Sequence, residues 1–399
     1  MPAPPDQAIQ DLFKRHFGFR PAHLTRAPAK LELLGSLAEP TDGLAVTAAV
    51  DRYAWLAASP RTDGKIELVH ADRAPEIFWI TEPKANPTAP WADTFKAVLR
   101  ELRLRKVHFS GFNVALHQDI PAGLGLGEHA ALSVATALTV RKLFPFGLGD
   151  SGATVPPKRN DRDQLPALLP PERAHFARIC RSALSNSGHG EEGWVESLTS
   201  LGGKAWHALN LDCRFQSLEH ASFVGTALIV CDSGQHAPAT IAQRQEVLEH
   251  GRAAVIKLGA KSVRSLEPKA VRAAQARLTE REFACALHLT GETQRAAAAE
   301  RALREEDHRQ LGSYLTLSHE SHREVLPDYS PEADCLVELA LKLPGCLGAR
   351  TLGHGLGATV NLVSYHEAEP FMAQIAQAFE ARTQLRLRPF VCQIVDGAE

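Results

Sequence analysis

Long apolar runs are missing from this 399-residue chain. No run approaches the roughly 20 residues that span a bilayer, and the opening MPAPPDQAIQDLFKRHFG has no basic segment followed by an apolar core. Neither a membrane span nor a secretory leader is expected, and a cytoplasmic location is. Paired cysteine spacing is missing too. Cys180, Cys213, Cys231, Cys285, Cys335, Cys346 and Cys392 are odd in number, scattered and never in CxxC spacing, which fits buried reduced thiols better than disulfides or zinc. Charge of one sign is also missing: 44 basic against 46 acidic residues create no field that favours nucleic acid or an anionic membrane. No repeat at solenoid spacing is visible. Small-molecule chemistry or a protein partner remains.

What is present is an ordinary globular composition, long enough to suggest two domains. A helix is expected at 7–17. Alternating apolar stretches at 30–34, 45–50, 53–58 and 66–69 read as an early antiparallel sheet. A helix at 91–104 and a strand at 107–116 follow. The Pro-, Gly- and charge-rich segment 147–171 reads as a mobile surface excursion. Helices are expected at 172–184 and 194–201, and strands at 205–212 and 227–231. The second half reads as mainly helical (239–258, 268–276, 280–303, 307–324, 330–341) and closes on strand, helix and strand at 349–363, 370–381 and 386–394. A domain boundary falls near 210–225, giving units 1–215 and 216–399.

The richest stretch is DIPAGLGLGEHAALSVATALTV, from Asp119 to Val140. Gly123, Gly125 and Gly127 permit close backbone approach, and a helix opening at Glu128 would aim unpaired N–H groups at an anion. Strand, glycine loop and helix in that order is the context of a phosphate loop. Yet the first side chains there are Glu128 and His129. A carboxylate in the first turn favours the helix dipole, so Glu128 reads either as an internal cap filling the anion seat or as a new metal ligand.

Three motifs in fixed order, RAPAKLELLGSLAEPTDGLAVTAAVD, IPAGLGLGEHAAL and ARTLGHGLGATVNLV, together with GWVESLTSLGGKAWHALNLDCRFQSLE, make the chain resemble the GHMP small-molecule kinase superfamily, in its galactokinase branch. The resemblance implies an α+β fold: a mixed α/β N-terminal domain, a ferredoxin-like C-terminal domain, and ATP and substrate in the cleft between them. It implies Glu196 as the catalytic base and Lys30 as the residue orienting it; without the resemblance, the two are an ordinary helix glutamate and a salt-bridged lysine. Gly123, Gly125, Gly127, Glu128 and His129 stand at the nucleotide loop. Gly353 and Gly355 stand at a second glycine-dense turn, which the fold would need with or without a ligand.

The sugar-holding segment is matched by Ser36, Leu37 and Glu39 in place of glutamate, histidine and aspartate, and a sugar-lining tyrosine by Ile241. Leu184 stands where the resemblance puts the carboxylate that completes the Mg²⁺ shell. Glu191, Glu192 and Glu128 could substitute, and His129 is the loop residue with metal-binding chemistry. Arg323, in SHESHR, faces either the cleft or solvent. Two functions stay open: an ATP-dependent phosphotransferase acting on a hydroxyl of a sugar-like molecule, or an inactive homologue that senses a metabolite or regulates a protein partner.

Overall fold

The computed structural model describes residues 4–157, 165, 167–188, 193–235, 241–325, 330–353 and 357–399. Helix α1 (Pro5–Phe17) opens on a proline and ends on Gly18, whose φ of 83° supplies the left-handed stop. It buries Ile9 and Phe13 against Trp55, Ala57 and Val69. Strand β1 (His23–Leu34) pairs antiparallel with β2 (Leu44–Pro60). The two stretches expected at 45–50 and 53–58 are thus one long strand, which carries Asp51 and Arg52 unpaired opposite the Pro28/Ala29 step of β1 as a bulge.

Strands β3 (Lys65–His70), β4 (Arg73–Trp79) and β5 (Phe112–Gln118) extend the sheet on one side of β2, with helix α2 (Asp93–Leu104) between β4 and β5 in the chain. Helix α3 (Glu128–Leu143) packs on β1 and β2 and is buried throughout Ala130–Arg141. Its Ala- and Leu-rich composition gives no polar face because it lies inside the domain. The short hairpin β6 (Gly147–Leu148) and β7 (Thr154–Val155) occupies the start of the 147–171 excursion, whose residues 158–164 and 166 lie outside the described set. Helices α4 (Pro170–Asn186) and α5 (Trp194–Gly202) lead to β8 (His207–Asp212) and β9 (Ser217–Ser222), which complete the order β4-β3-β5-β2-β8-β9 with β1 also on β2.

The second sheet starts at β10 (Thr226–Asp232). Helices α6 (Ile241–Lys257), α7 (Pro268–Ala273), α8 (Glu280–Arg304), α9 (His308–Val325) and α10 (Pro331–Ala340) follow. Helix α8 opens with a reciprocal capping box between Thr279 and Glu282 and carries Arg301 and Arg304 in its last turn. Then come β11 (Cys346–Thr351), β12 (Ala358–Ser364), α11 (Ala368–Thr383) and β13 (Arg388–Cys392). The stretch 349–363 therefore holds parts of two antiparallel strands rather than one. The order β11-β12-β10-β13, all antiparallel, with one helix-bearing connection on each side of the β11–β12 pair, is the ferredoxin-like arrangement.

The two sheets share one apolar core, in which Leu228, Val230, Val360 and Leu362 join Leu31, Leu33 and Ala48. The last residues sew back onto the first sheet: Ile394 bridges Val50, and the Val395 N–H donates to Ala49 O at 3.0 Å. Among the described residues no helix is long and apolar enough to cross a membrane.

Candidate active site

Where the two sheets meet, three pieces of chain distant in sequence converge. Strand β1 presents Lys30, whose side chain is only 6% exposed; the first turn of α5 presents Glu196; and their Nζ and Oε1 lie 3.2 Å apart. Gly127, at the start of α3, sits directly on them: a Cβ there would lie 3.4 Å from Glu196 Cγ and 3.5 Å from Lys30 Cβ. The Lys30 N–H also donates to Leu126 O at 2.9 Å, tying the glycine loop to β1. Burial pushes the Glu196 carboxyl upward, but the Lys30 ammonium, the Glu196 amide and Arg244 together outweigh it and hold the group below the usual carboxylate range. Its second oxygen, Oε2, is buried with no hydrogen-bond partner among the described residues.

The glycine loop has the shape of an anion cradle. Gly123, Gly125 and Gly127 have φ of 75°, 73° and 72°, the left-handed region where any other residue is strained. One amide of this cradle is taken by the chain itself, because the Gly123 N–H donates to Glu128 Oε1 at 3.2 Å. Glu128 thus turns back into the loop. His129 is exposed, with Nδ1 3.2 Å from the Thr94 hydroxyl. Gly353, at the end of β11, has φ of 54°, and Gly355 lies outside the described residues.

The segment expected to hold a sugar is committed to holding the protein. Glu39 Oε2 accepts from the N–H groups of Gly193, Trp194 and Val195 at 3.1, 2.8 and 3.3 Å, and Oε1 meets Arg181 Nε at 2.6 Å. It caps the helix that carries Glu196, a task the cap residue Gly193 has no side chain for. Burial first, and the nearby Glu196 second, push the Glu39 carboxyl up to about 7, against the pull of Arg181 and the amides. Leu37, forced to φ of 58°, is buried in an apolar cluster with Val247, Leu248, Cys285 and Leu289. Ser36 is buried, and its N–H donates to Glu292 Oε2 at 3.1 Å. Ile241 begins α6, and its side chain is outside the described set.

At the positions that the resemblance assigns to Mg²⁺, the described residues do not fit it. Leu184 is buried and fills the space beside Gly193, where an added Cβ would come within 2.6 Å of its Cδ1. Among the described residues no group of three or more His, Cys, Asp or Glu is placed to hold a metal ion, and Glu191 and Glu192 lie outside them. Mg²⁺ requires hard oxygen donors in near-octahedral geometry.

A second set of charges lies behind the pair. Lys30 Nζ is 3.4 Å from Glu32 Oε2, and Arg350 on β11 has Nη2 3.6 Å from Glu32 Oε1. Arg350 Nη1 donates to Leu33 O at 2.9 Å and lies 3.9 Å from Glu292 Oε2. Glu292 in turn pairs with Arg295 at 2.8 Å. His288 and His322 stack with ring centroids 5.6 Å apart, and His319 Nε2 is 3.1 Å from Asp334 Oδ1. In SHESHR, therefore, Ser318, His319 and His322 are buried while Arg323 faces solvent, 59% exposed. One signal for this set was readable: Lys30 and Glu32 are two apart in the otherwise apolar stretch 27–34 and so share a face. The links to Arg350 and Glu292 span too much sequence to be seen.

Residues 93–154 match the GHMP kinases N terminal domain and residues 299–381 match GHMP kinases C terminal. The galactokinase of Roseiflexus sp. (strain RS-1) is 29% identical, covering 98% of this chain and 95% of its own, and the Homo sapiens galactokinase is 29% identical over 97% and 94%. In fold, the Lactococcus lactis galactokinase complexed with galactose superposes with a TM-score of 0.86 at 19% identity, covering 98% of this chain and 99% of that one. The Methanococcus jannaschii mevalonate kinase gives 0.61 at 15% identity, over 94% and 98%.

Proposed function

As a galactokinase-like member of the GHMP kinase superfamily, this chain is, we propose, an ATP-dependent phosphotransferase acting on a hydroxyl of a sugar or sugar-like small molecule. The observation that carries the reading is the Lys30–Glu196 pair at 3.2 Å beneath Gly127. It is a carboxylate kept ionised by an ammonium, at the foot of an anion-shaped loop.

ATP, when bound, supplies the transferable phosphoryl group. The free oxygen of Glu196 takes the proton from the acceptor hydroxyl, Lys30 keeps that carboxylate charged until it does so, and the loop amides face the phosphates. The acceptor oxygen forms its bond to phosphorus as the bond to the leaving diphosphate breaks. With Glu39 spent on capping α5 and Leu37 packed in an apolar cluster, an acceptor hydroxylated like galactose loses two of its holders. We therefore place the substrate among sugar-like molecules other than galactose, handled in the cytoplasm.

A second reading, a homologue that binds a metabolite or a protein partner without turnover, draws on Glu128 in the loop and Leu184 at the metal position. The test is a sugar-panel assay for label transfer from ATP, paired with calorimetric titration of nucleotide with and without Mg²⁺. Transfer to any member of the panel supports the phosphotransferase. No heat of nucleotide binding at millimolar concentration ends it and leaves the second reading standing.

Glu128 gives a sharper prediction. In Glu128→Ser the Gly123 N–H is freed and a like charge leaves the phosphate seat, so nucleotide affinity is expected to rise about 10-fold. Unchanged or weaker binding in the same titration would show that the carboxylate does not compete with phosphate.

A further inference from the structure

Lys30 stands between two carboxylates, not one. Its Nζ lies 3.2 Å from Glu196 Oε1 and 3.4 Å from Glu32 Oε2. The second carboxylate is not a free surface group: its side chain is 15% exposed, and its other oxygen faces Arg350, which is 1% exposed. Arg350 is fixed in turn by its bond to Leu33 O and by Glu292. The series Glu196, Lys30, Glu32, Arg350, Glu292 and Arg295 alternates in sign from α5 to α8. Because Lys30 and Glu32 share one face of β1, the strand itself sets their spacing.

We propose that Glu32 is a positioning residue for the Lys30–Glu196 pair. By taking a share of the Lys30 ammonium while anchored to Arg350, it keeps that ammonium on the Oε1 side of Glu196 and leaves the buried Oε2 unpartnered among the described residues, ready to accept from a substrate hydroxyl. Without its charge, Lys30 is drawn more strongly onto Glu196 and reaches toward its second oxygen. The catalytic part of this proposal rests on the phosphotransferase reading; the electrostatic part does not.

Glu196 is faced by Lys30 from β1, Glu39 from the turn after it and Arg244 from α6, so each of these stays in place in the test. The experiment compares the full chain with Glu32→Gln, following the Glu196 carboxyl by ¹³C NMR across pH, with assignment from Glu196→Gln. The expected result is a titration midpoint lower by roughly one pH unit, since the ammonium is no longer divided and one like charge has gone. For an active enzyme, kcat at neutral pH falls about 3- to 10-fold with KM unchanged, as a weaker and partly covered base requires. The charge-preserving Glu32→Asp keeps the wild-type midpoint.

A midpoint that stays put in Glu32→Gln, or one that moves equally in Glu32→Asp, overturns the proposal and leaves Glu32 a packing residue. If the wild type gives no heat of nucleotide binding, the phosphotransferase reading fails by itself and the carboxyl titration still decides this one.

Discussion

Glu196→Gln is expected to lower the turnover of phosphoryl transfer by about 10²- to 10⁴-fold, the range that loss of a positioned general base produces. The substitution keeps the size and shape of the side chain and removes only its ability to take a proton. Glu196 Oε1 already faces Lys30 and Oε2 has no partner among the described residues, so the amide leaves the fold with little to repair. KM for the acceptor should change little, because a uniform binding contact is not what is lost. The measurement is kcat and KM on the best acceptor from the panel, with unchanged far-UV circular dichroism as the control for folding. Turnover within a factor of a few of wild type would remove Glu196 from the proton path. Lys30 supplies the complementary check: its ammonium depresses the Glu196 pKa, so in Lys30→Met the acid limb of the pH–rate profile moves upward.

The parts of this site that could be read in the sequence are those built from contiguous chain. A strand delivering a glycine loop to a buried helix is a local pattern, and Gly123, Gly125 and Gly127 stand where it puts them. Lys30 and Glu196 were reachable because each sits inside a motif with a recognisable neighbourhood. Glu292 and Arg350 were not. Each is a single charge inside an apolar element, and only the folded chain shows Glu292 bonded to Gly35 and Ser36, more than 250 residues away. The unread strands β4 and β9 fail for a different reason. They are the two edges of the first sheet, mostly exposed, and carry neither a buried run nor a clean alternation. Glu39 carries the most physical content of the substituted positions. Sequence could say that a carboxylate was retained one methylene longer, but only the fold shows that it turns onto the amides of α5.

Acidification below the ordinary histidine range should destabilise this fold more steeply than its carboxylates alone would. His288, His319 and His322 are buried together on α8 and α9, 1%, 4% and 1% exposed. Burial lowers His288 to about 4, with Arg295 and Arg350 adding to it and Glu292 opposing. Burial, with Arg350 and Arg323, lowers His319 to about 4 as well, although its ring contacts Asp334, whose own carboxyl burial pushes up. His322 is held well below 6.5 by burial and by His288 and Arg350.

A folded-state pKa below the unfolded 6.5 means that the unfolded chain binds protons first. The contribution to stability is therefore complete above pH 6.5 and is lost progressively as pH falls from 6.5 toward 4. For His288 and His319 the loss is roughly 2 kcal/mol each at pH 5, and His322 adds a loss of the same sign. Together these losses take a large part of the margin of an ordinary domain, about 5–15 kcal/mol. Glu292, depressed by Arg295 and Arg350 against its own burial, shares the sign and gives way only at lower pH. The expected record is an apparent Tm that drops steeply between pH 6.5 and 5 by scanning calorimetry, while ring resonances of the three histidines show no titration until the native signal itself is lost. Imidazole shifts that titrate near 6.5 in the folded protein, or an apparent Tm flat across that interval, would mean that these rings reach water and that the polar layer between α8, α9 and β11 is not closed.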